Sequence, residues 1–307
     1  MSEPIQSRNP IRLSLGPIQF FWQKETLLEF YVSMLDAPVD TIYLGEVVCS
    51  RRQKMRFADW YGLAENLADS GKEVILSSQV LLESETDLRR LRKITGQDRF
   101  KVEANDMGAV RLAREHDIPF VAGASLNIYN ETTLGVFRQL GAFRWVPPTE
   151  LSHDKLATIL AATEGIETEL FGWGRMPLAY SSRCFTARHY NLNKDHCEFR
   201  CLDHEDGLVL KTREGKPFLT INGIQTQSAR IHSLLTDMPD LLALGVDVLG
   251  LSPQSQHMDQ VVAAFDHARR EGRAAPGALD ALRPLLPAAP CNGYWHGKPG
   301  MDLVLTA

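Results

Sequence analysis

A (β/α)8 barrel of the TIM type is the fold this sequence predicts, with a cysteine-rich hairpin insertion after the seventh strand. Three observations predict it. Short apolar runs of strand character alternate with helical patterns almost to the end of the chain. The alternation gives eight strand–helix units, the count at which right-handed βα repetition closes on itself. The 307 residues also suit one barrel domain, whose core at this size needs no disulfide staple. An open doubly wound sheet is the alternative, because periodicity alone does not show closure.

The elements run in order. IRLSLGP (11–17) reads as the first strand and KETLLEFYVSML (24–35) as its helix. TIYLGEV (41–47) is the second strand, followed by a long helical pattern over 52–69. EVILSS (73–78), FKVEAN (100–105), PFVAGAS (119–125) and FRWVPP (143–148) continue the strands. Between them lie SETDLRRLRKITG, with Ser84 and Asp87 placed as N-cap and first-turn acid, then DMGAVRLAREHD, ETTLGVFRQLG and SHDKLATILAATEG. ETELFGWG (167–174) is the seventh strand. The rhythm breaks over 175–227, which holds three cysteines and a hairpin pattern around Glu214-Gly215. It resumes with a helix near 237–244, the strand VDVLGLS (246–252) and the helix MDQVVAAFDHARREG. A Pro- and Gly-rich tail, 273–307, is expected to wrap the outside or a rim. The whole chain reads as one domain.

The composition narrows the function. Hydrophobic residues at 44% and charged residues at 23% are those of an ordinary globular enzyme. A net charge of −5 speaks against stable nucleic-acid binding, which wants a basic domain. The opening MSEPIQSRNPIRL lacks the apolar core of a signal peptide, and no run is long and apolar enough for a transmembrane helix. The expectation is a cytoplasmic protein, where clustered cysteines are more often ligands or catalytic groups than disulfides.

Cys184, Cys197 and Cys201 form a C-x12-C-x3-C pattern in the insertion. A fourth ligand must come from Cys49, Cys291 or a nearby histidine (His189, His196, His204). An insertion after the seventh strand lies on the C-terminal face of the barrel, where active sites gather, and Cys49 follows the second strand onto that same face. Position therefore favours Cys49 over Cys291. Structural zinc and an iron–sulfur cluster both suit such ligands. Zinc sites usually come as two short C-x2-C-type pairs, and only one short pair exists here, which favours the cluster. Arg51, Arg52, Arg183 and Arg200 stand beside the cysteines in sequence and would stabilise a net anion.

Polar residues at strand ends on that face are candidates for contact with substrate or with the metal ligands: Glu46, Arg51, Glu103, Asn105, Asn127, Asn130, Glu169 and Tyr180. Loop capping and satisfied polar layers are the competing roles. Trp145, Trp173 and Tyr43 read as core, and His153 and His257 as helix-opening residues. No G-x-S-x-G or H-E-x-x-H motif supports a hydrolase.

GRMPLAYSSRC (174–184), the cysteine spacing, Cys49 and the closing NGYWHGKPG (292–300) together resemble the collagenase-like U32 peptidase family, and within it the anaerobic ubiquinone-biosynthesis branch. The resemblance covers nearly the whole chain. It implies a [4Fe-4S] cluster held by Cys49, Cys184, Cys197 and Cys201. It implies a heterodimer with a UbiU-like paralogue and O2-independent hydroxylation of a ubiquinone precursor, with prephenate as oxygen donor and a lipid-carrier accessory protein assisting. Other branches hydroxylate RNA bases. The chain departs from peptidase-type relatives, which carry a further cysteine where this sequence reads Met176-Pro177-Leu178-Ala179.

Overall fold

The computed structural model describes residues 10–305, so the reading of the N-terminal segment falls largely on residues 1–9, outside the described residues. In chain order the barrel strands are β1 (Arg12–Leu15), β2 (Thr41–Leu44), β3 (Glu73–Ser77), β4 (Lys101–Ala104), β5 (Phe120–Ala122), β6 (Ala142–Trp145) and the first half of β7 (Glu167–Tyr180). The insertion supplies β8 (Leu208–Lys211), β9 (Pro217–Asn222) and β10 (Gln225–Ser233), after which β11 (Val248–Leu251) is the eighth stave. Each neighbouring pair of staves is parallel. The sheet closes because β11 pairs with β1 on one side, Leu249 opposite Leu13, and with β7 on the other, Leu249 opposite Leu170. The barrel is shown, and the open-sheet alternative is set aside.

The outer layer follows from caps and amphipathic stripes. Its helices are α1 (Lys24–Ser33), α2 (Phe57–Asp69), α3 (Glu85–Thr95), α4 (Met107–Glu115), α5 (Glu131–Gln139) and α6 (His153–Ala161). After a one-turn helix α7 (Phe185–His189) in the insertion come α8 (Met238–Leu244) and α9 (Met258–Glu271). Ser84 caps α3 by accepting from Asp87 N at 3.3 Å, and Asp87 Oδ2 accepts from the Ser84 hydroxyl at 2.8 Å. Helix α2 begins at Phe57 rather than 52, because the backbone from Cys49 to Arg56 forms a loop instead.

The seventh strand differs most from its sequence reading. It does not stop at Gly174 but runs unbroken to Tyr180. Up to Trp173 it pairs parallel with β11, and from there it pairs antiparallel with β10, His232 opposite Gly174 and Gln225 opposite Tyr180. Glycines permit the change of partner. A Cβ at residue 172 would lie 2.5 Å from the Leu249 side chain, and Gly174 has φ +124°. The insertion is thus an antiparallel extension of the barrel sheet. The tail adds α10 (Ala278–Leu282) and a short strand β12 (Pro290–Cys291) parallel to β10, so it joins the sheet rather than only wrapping it.

The N-terminal end of the barrel is plugged by charge. Arg144 is fully buried and donates to Glu73 at 3.0 Å, Glu167 at 2.8 Å, Glu169 at 3.3 Å and the Tyr43 hydroxyl at 3.2 Å. Burial would raise the Glu73 carboxyl, but Lys101, Arg144 and Thr41 together hold it down at about 2. Tyr43, Ile75 and Val121 pack above this plug. Trp145 and Trp173 are fully buried, as a core reading requires. Among the described residues no helix is long and apolar enough to cross a membrane.

Candidate functional site

Cys49, Cys184, Cys197 and Cys201 border one small hollow on the C-terminal face, together with Arg51, Arg52, Lys194, Arg200 and Gly223. Cys291 is not among them; it is wholly buried in β12, and burial pushes its thiol up to about 12. All five thiols are free.

Local forces shape each ligand loop. Oε1 of Glu46 accepts from the backbone N–H of Val48 and of Cys49, both at 3.0 Å, which folds the turn after β2. Burial raises this carboxyl to about 6, against the pull of Arg52 and those two N–H groups. Cys184 caps α7, its sulfur accepting from Ala187 N at 3.4 Å. Between Cys197 and Cys201 the chain places Glu198 and Phe199 consecutively in the left-handed region, at φ +50° and +54°. Two adjacent non-glycine residues there hold the loop in a costly shape that turns both thiols inward. Arg51 ties the loops together by donating to the Asp195 carbonyl at 2.7 Å, and Lys194 pairs with Glu83.

The donor set fits a sulfur-rich anionic group. Burial raises the Cys49 thiol to about 11 and raises Cys201 as well, with Arg52 opposing in both cases, so the thiols carry protons that a metal would displace. The Nε atoms of Arg51 and Arg52 are buried without a protein partner, two N–H groups left over beside the hollow. Among the described residues no three His, Cys, Asp or Glu side chains stand close enough together to hold a metal ion. Four thiols bordering one hollow are the donor set of either a tetrahedral zinc or an iron–sulfur cluster.

Beside this hollow the barrel mouth opens into a cavity of about 500 Å3 to which all eight staves or their following loops contribute. Tyr43, Glu103 and Glu169 lie toward its floor, and Asn105, Ser125, Asn127, Glu150 and Tyr180 stand around it. Glu169 is held by Ser14 at 2.6 Å, by Tyr43 and by Arg144; burial still raises it. Glu103 is raised to about 7 by burial, with Ser77 and Asn105 pulling down and Glu169 pushing further up. Its Oε2 has no protein partner.

Cavity and hollow share a wall. Val47, Val48, Cys49 and Ile224 form a small apolar cluster with Leu81, Tyr180 and Cys184 packed on it. Val47, Leu81 and Tyr180 also line the cavity. A chain of hydrogen bonds crosses the same wall. Arg52 Nη2 donates to Asn222 Oδ1 at 2.6 Å, Asn222 Nδ2 to Gln225 Oε1 at 2.9 Å, and Gln225 Nε2 to the Tyr180 hydroxyl at 2.7 Å.

The structure thus gathers Arg51 and the four cysteines at the hollow, and Asn127, Glu169 and Tyr180 at the cavity; Glu46 does not line the hollow but holds the backbone of Val48 and Cys49 beside it. Asn130 belongs to neither: it is exposed and caps α5, accepting from Thr133 N at 2.8 Å. Its spacing before Thr133 carried that signal in the sequence. Asn222 and Gln225 were missed, since nothing in a hairpin pattern says that its end reaches Arg52.

Two curated proteins share partial similarity with the chain. Each is called tRNA hydroxylation protein P. The one from Escherichia coli (strain K12) is 27% identical over 38% of this chain and 27% of its own length. The one from Haemophilus influenzae is 31% identical over 32% of this chain and 22% of its own length. The chain thus spans about a quarter of the length of the curated relatives it matches. A solved structure, the U32 peptidase Mk0906, aligns over 83% of this chain and 98% of that one at 12% identity and a TM-score of 0.46. The family description that matches is peptidase family U32, over residues 28–303. The match takes in all four clustered cysteines and every barrel stave but the first, and the chain belongs to peptidase family U32.

Proposed function

We propose that this chain is an iron–sulfur component of an oxygen-independent hydroxylation system whose substrate ring binds in the barrel cavity. The observation that carries the reading is the shared wall: four cysteines border a hollow, and the apolar cluster around Cys49 and Cys184 includes Val47, Leu81 and Tyr180, which also line a cavity of about 500 Å3. Cys49, Cys184, Cys197 and Cys201 would hold a [4Fe-4S] group, which supplies one-electron chemistry when bound. Arg51 and Arg52 would direct N–H groups at its sulfurs, and the apolar wall would keep water from it. Within the family the reading extends to a ubiquinone precursor as substrate, prephenate as oxygen donor, a UbiU-like paralogue as partner in the cytoplasm, and a lipid-carrier accessory protein. The cavity supports a small ring, because among the described residues no Lys, Arg or His lines it. Among the described residues that line it there is no Cys or His either, the usual nucleophile–base pair of a cysteine peptidase.

Anaerobic purification tests the first step. The expected result is about four irons and four sulfides per chain, with visible absorbance and an EPR signal on reduction, all lost in Cys184→Ala. One zinc and no colour would overturn it. Quinone profiling of an anaerobic culture carrying Cys184→Ala tests the substrate, and unchanged quinone would remove it. A second reading, hydroxylation of a tRNA base, is favoured by the printed name of the two curated relatives. It predicts a lost tRNA modification with quinone intact.

A further inference from the structure

The cavity floor has a feature that hydroxylation alone does not require. Among the described residues four carboxylates line the cavity, Glu103, Asp106, Glu150 and Glu169, and no cation does. Three are already committed. Glu169 serves Ser14, Tyr43 and Arg144, Asp106 caps α4 through Gly108 N at 2.6 Å, and Glu150 accepts from the Tyr129 hydroxyl. Glu103 alone keeps a buried oxygen, Oε2, without a protein donor. A buried acceptor left open is costly unless a ligand or water fills it.

We propose that Glu103 is the specificity-determining residue of the cavity: its Oε2 receives the hydroxyl or N–H of an uncharged ring, and the surrounding carboxylates refuse phosphate- and carboxylate-bearing molecules. The proposal rests on the hydroxylation reading for its chemistry but not for its binding. The walls fit a ring, with Pro17, Val80, Leu126, Val146 and Phe171 offering apolar faces. An anion entering would leave water for a lining without a cation among the described residues, facing Asp106 and Glu150 at the rim, while Glu169 below is already paired with Arg144. A donor on a neutral ring meets the opposite situation, a desolvated acceptor already in place. Molecules that carry phosphate or several carboxylates must therefore be met elsewhere on the protein.

Calorimetric titration of the anaerobically purified chain tests this with three probes: 2-allylphenol, 2-allylanisole, which lacks the donor, and uridine 5′-monophosphate. The phenol is expected to bind roughly tenfold more tightly than its methyl ether, with the nucleotide not competing. Glu103→Gln should bring phenol and ether close together, and Glu103→Ala serves as a check that packing is not the cause. The groups facing Glu103 are Glu169 and Tyr180 from β7, Tyr43 from β2, Ser77 from β3 and Asn105 after β4. Phenol affinity should rise from about pH 5.5 to about pH 8.5 in the wild type, as the carboxyl ionises, and stay flat in Glu103→Gln. Equal binding of phenol and ether, or competition by the nucleotide, overturns the proposal. Repeating the titration on Cys184→Ala separates the two readings. Selective phenol binding by a wild-type chain that holds no iron keeps this inference and sinks the hydroxylase, whereas an iron-loaded chain without selectivity does the reverse.

Discussion

The Arg52 guanidinium lies 2.6 Å from the side-chain oxygen of Asn222, across 170 residues of sequence. Arg52 belongs to the loop after β2 and Asn222 to the last residue of β9, so this contact fastens the insertion to the barrel. Arg52 also donates to the Gln19 carbonyl at 2.8 Å, and its side chain is almost wholly buried.

Removing the acceptor should therefore loosen the insertion. Asn222→Ala leaves a buried cationic donor without its partner, a loss of about 2–3 kcal/mol. Urea denaturation measures it, and a change within error of zero would show that water replaces the amide.

Gly223 follows at φ +66°, and a Cβ there would come 2.9 Å from Arg52 Nη2. Gly223→Ala is expected to cost about 1 kcal/mol or more from backbone conformation alone. It should also displace the guanidinium. Iron content per chain in anaerobic preparations should fall, though less than in Cys184→Ala.

Cys291→Ala provides the control for the cysteines. Its thiol lies outside the hollow and packs in β12. Iron and sulfide should stay at wild-type levels, with a stability loss of about 1–2 kcal/mol from the small cavity.

Glu103 makes stability depend on pH. Its folded-state carboxyl titrates at about 7, above the unfolded value near 4.5. The unfolded chain thus gives up this proton first, so stability falls as pH rises from about 4.5 and levels off above about 7. Glu103→Gln removes that slope. At pH 8 it should be more stable than wild type, by up to about 3 kcal/mol, and at pH 4 nearly equal. Thermal melts across that range check both the sign and the window.

Arg144 offers the contrasting case. It neutralises a buried Glu169 as well as Glu73 and Glu167. Arg144→Met would strand Glu169, and a loss of about 3–5 kcal/mol is expected in urea denaturation at neutral pH.

Much of this was legible before the structure. Strands and helices announced themselves through alternation, and Cys49 could be chosen over Cys291 because every βα loop of such a barrel emerges on one face. Glu169 and Tyr180 were found by the same rule. What escaped was long-range pairing. Arg144 sits in FRWVPP, a run that gives no sign of three carboxylates from β3 and β7 meeting it. Glu103 was visible as a strand-end acid, but its open oxygen depends on which neighbours are already occupied. Asn130 entered as a polar residue just past the fifth strand, when its own helix had the stronger claim. The continuation of β7 past Gly174 was hidden because a proline, Pro177, interrupts an otherwise strand-like stretch.

The order of the ligands along the chain bears on how the protein is made. Cys49 leaves the ribosome with the second stave, but its three companions emerge only after the seventh, and the eighth stave, which closes the barrel, comes later still. During vectorial synthesis the first thiol must wait unpaired while some 135 residues follow it, counted from Cys49 to Cys184. A group held by all four thiols would therefore be delivered to a nearly finished barrel, and once in place it would cross-link the second stave to the insertion as a late clasp.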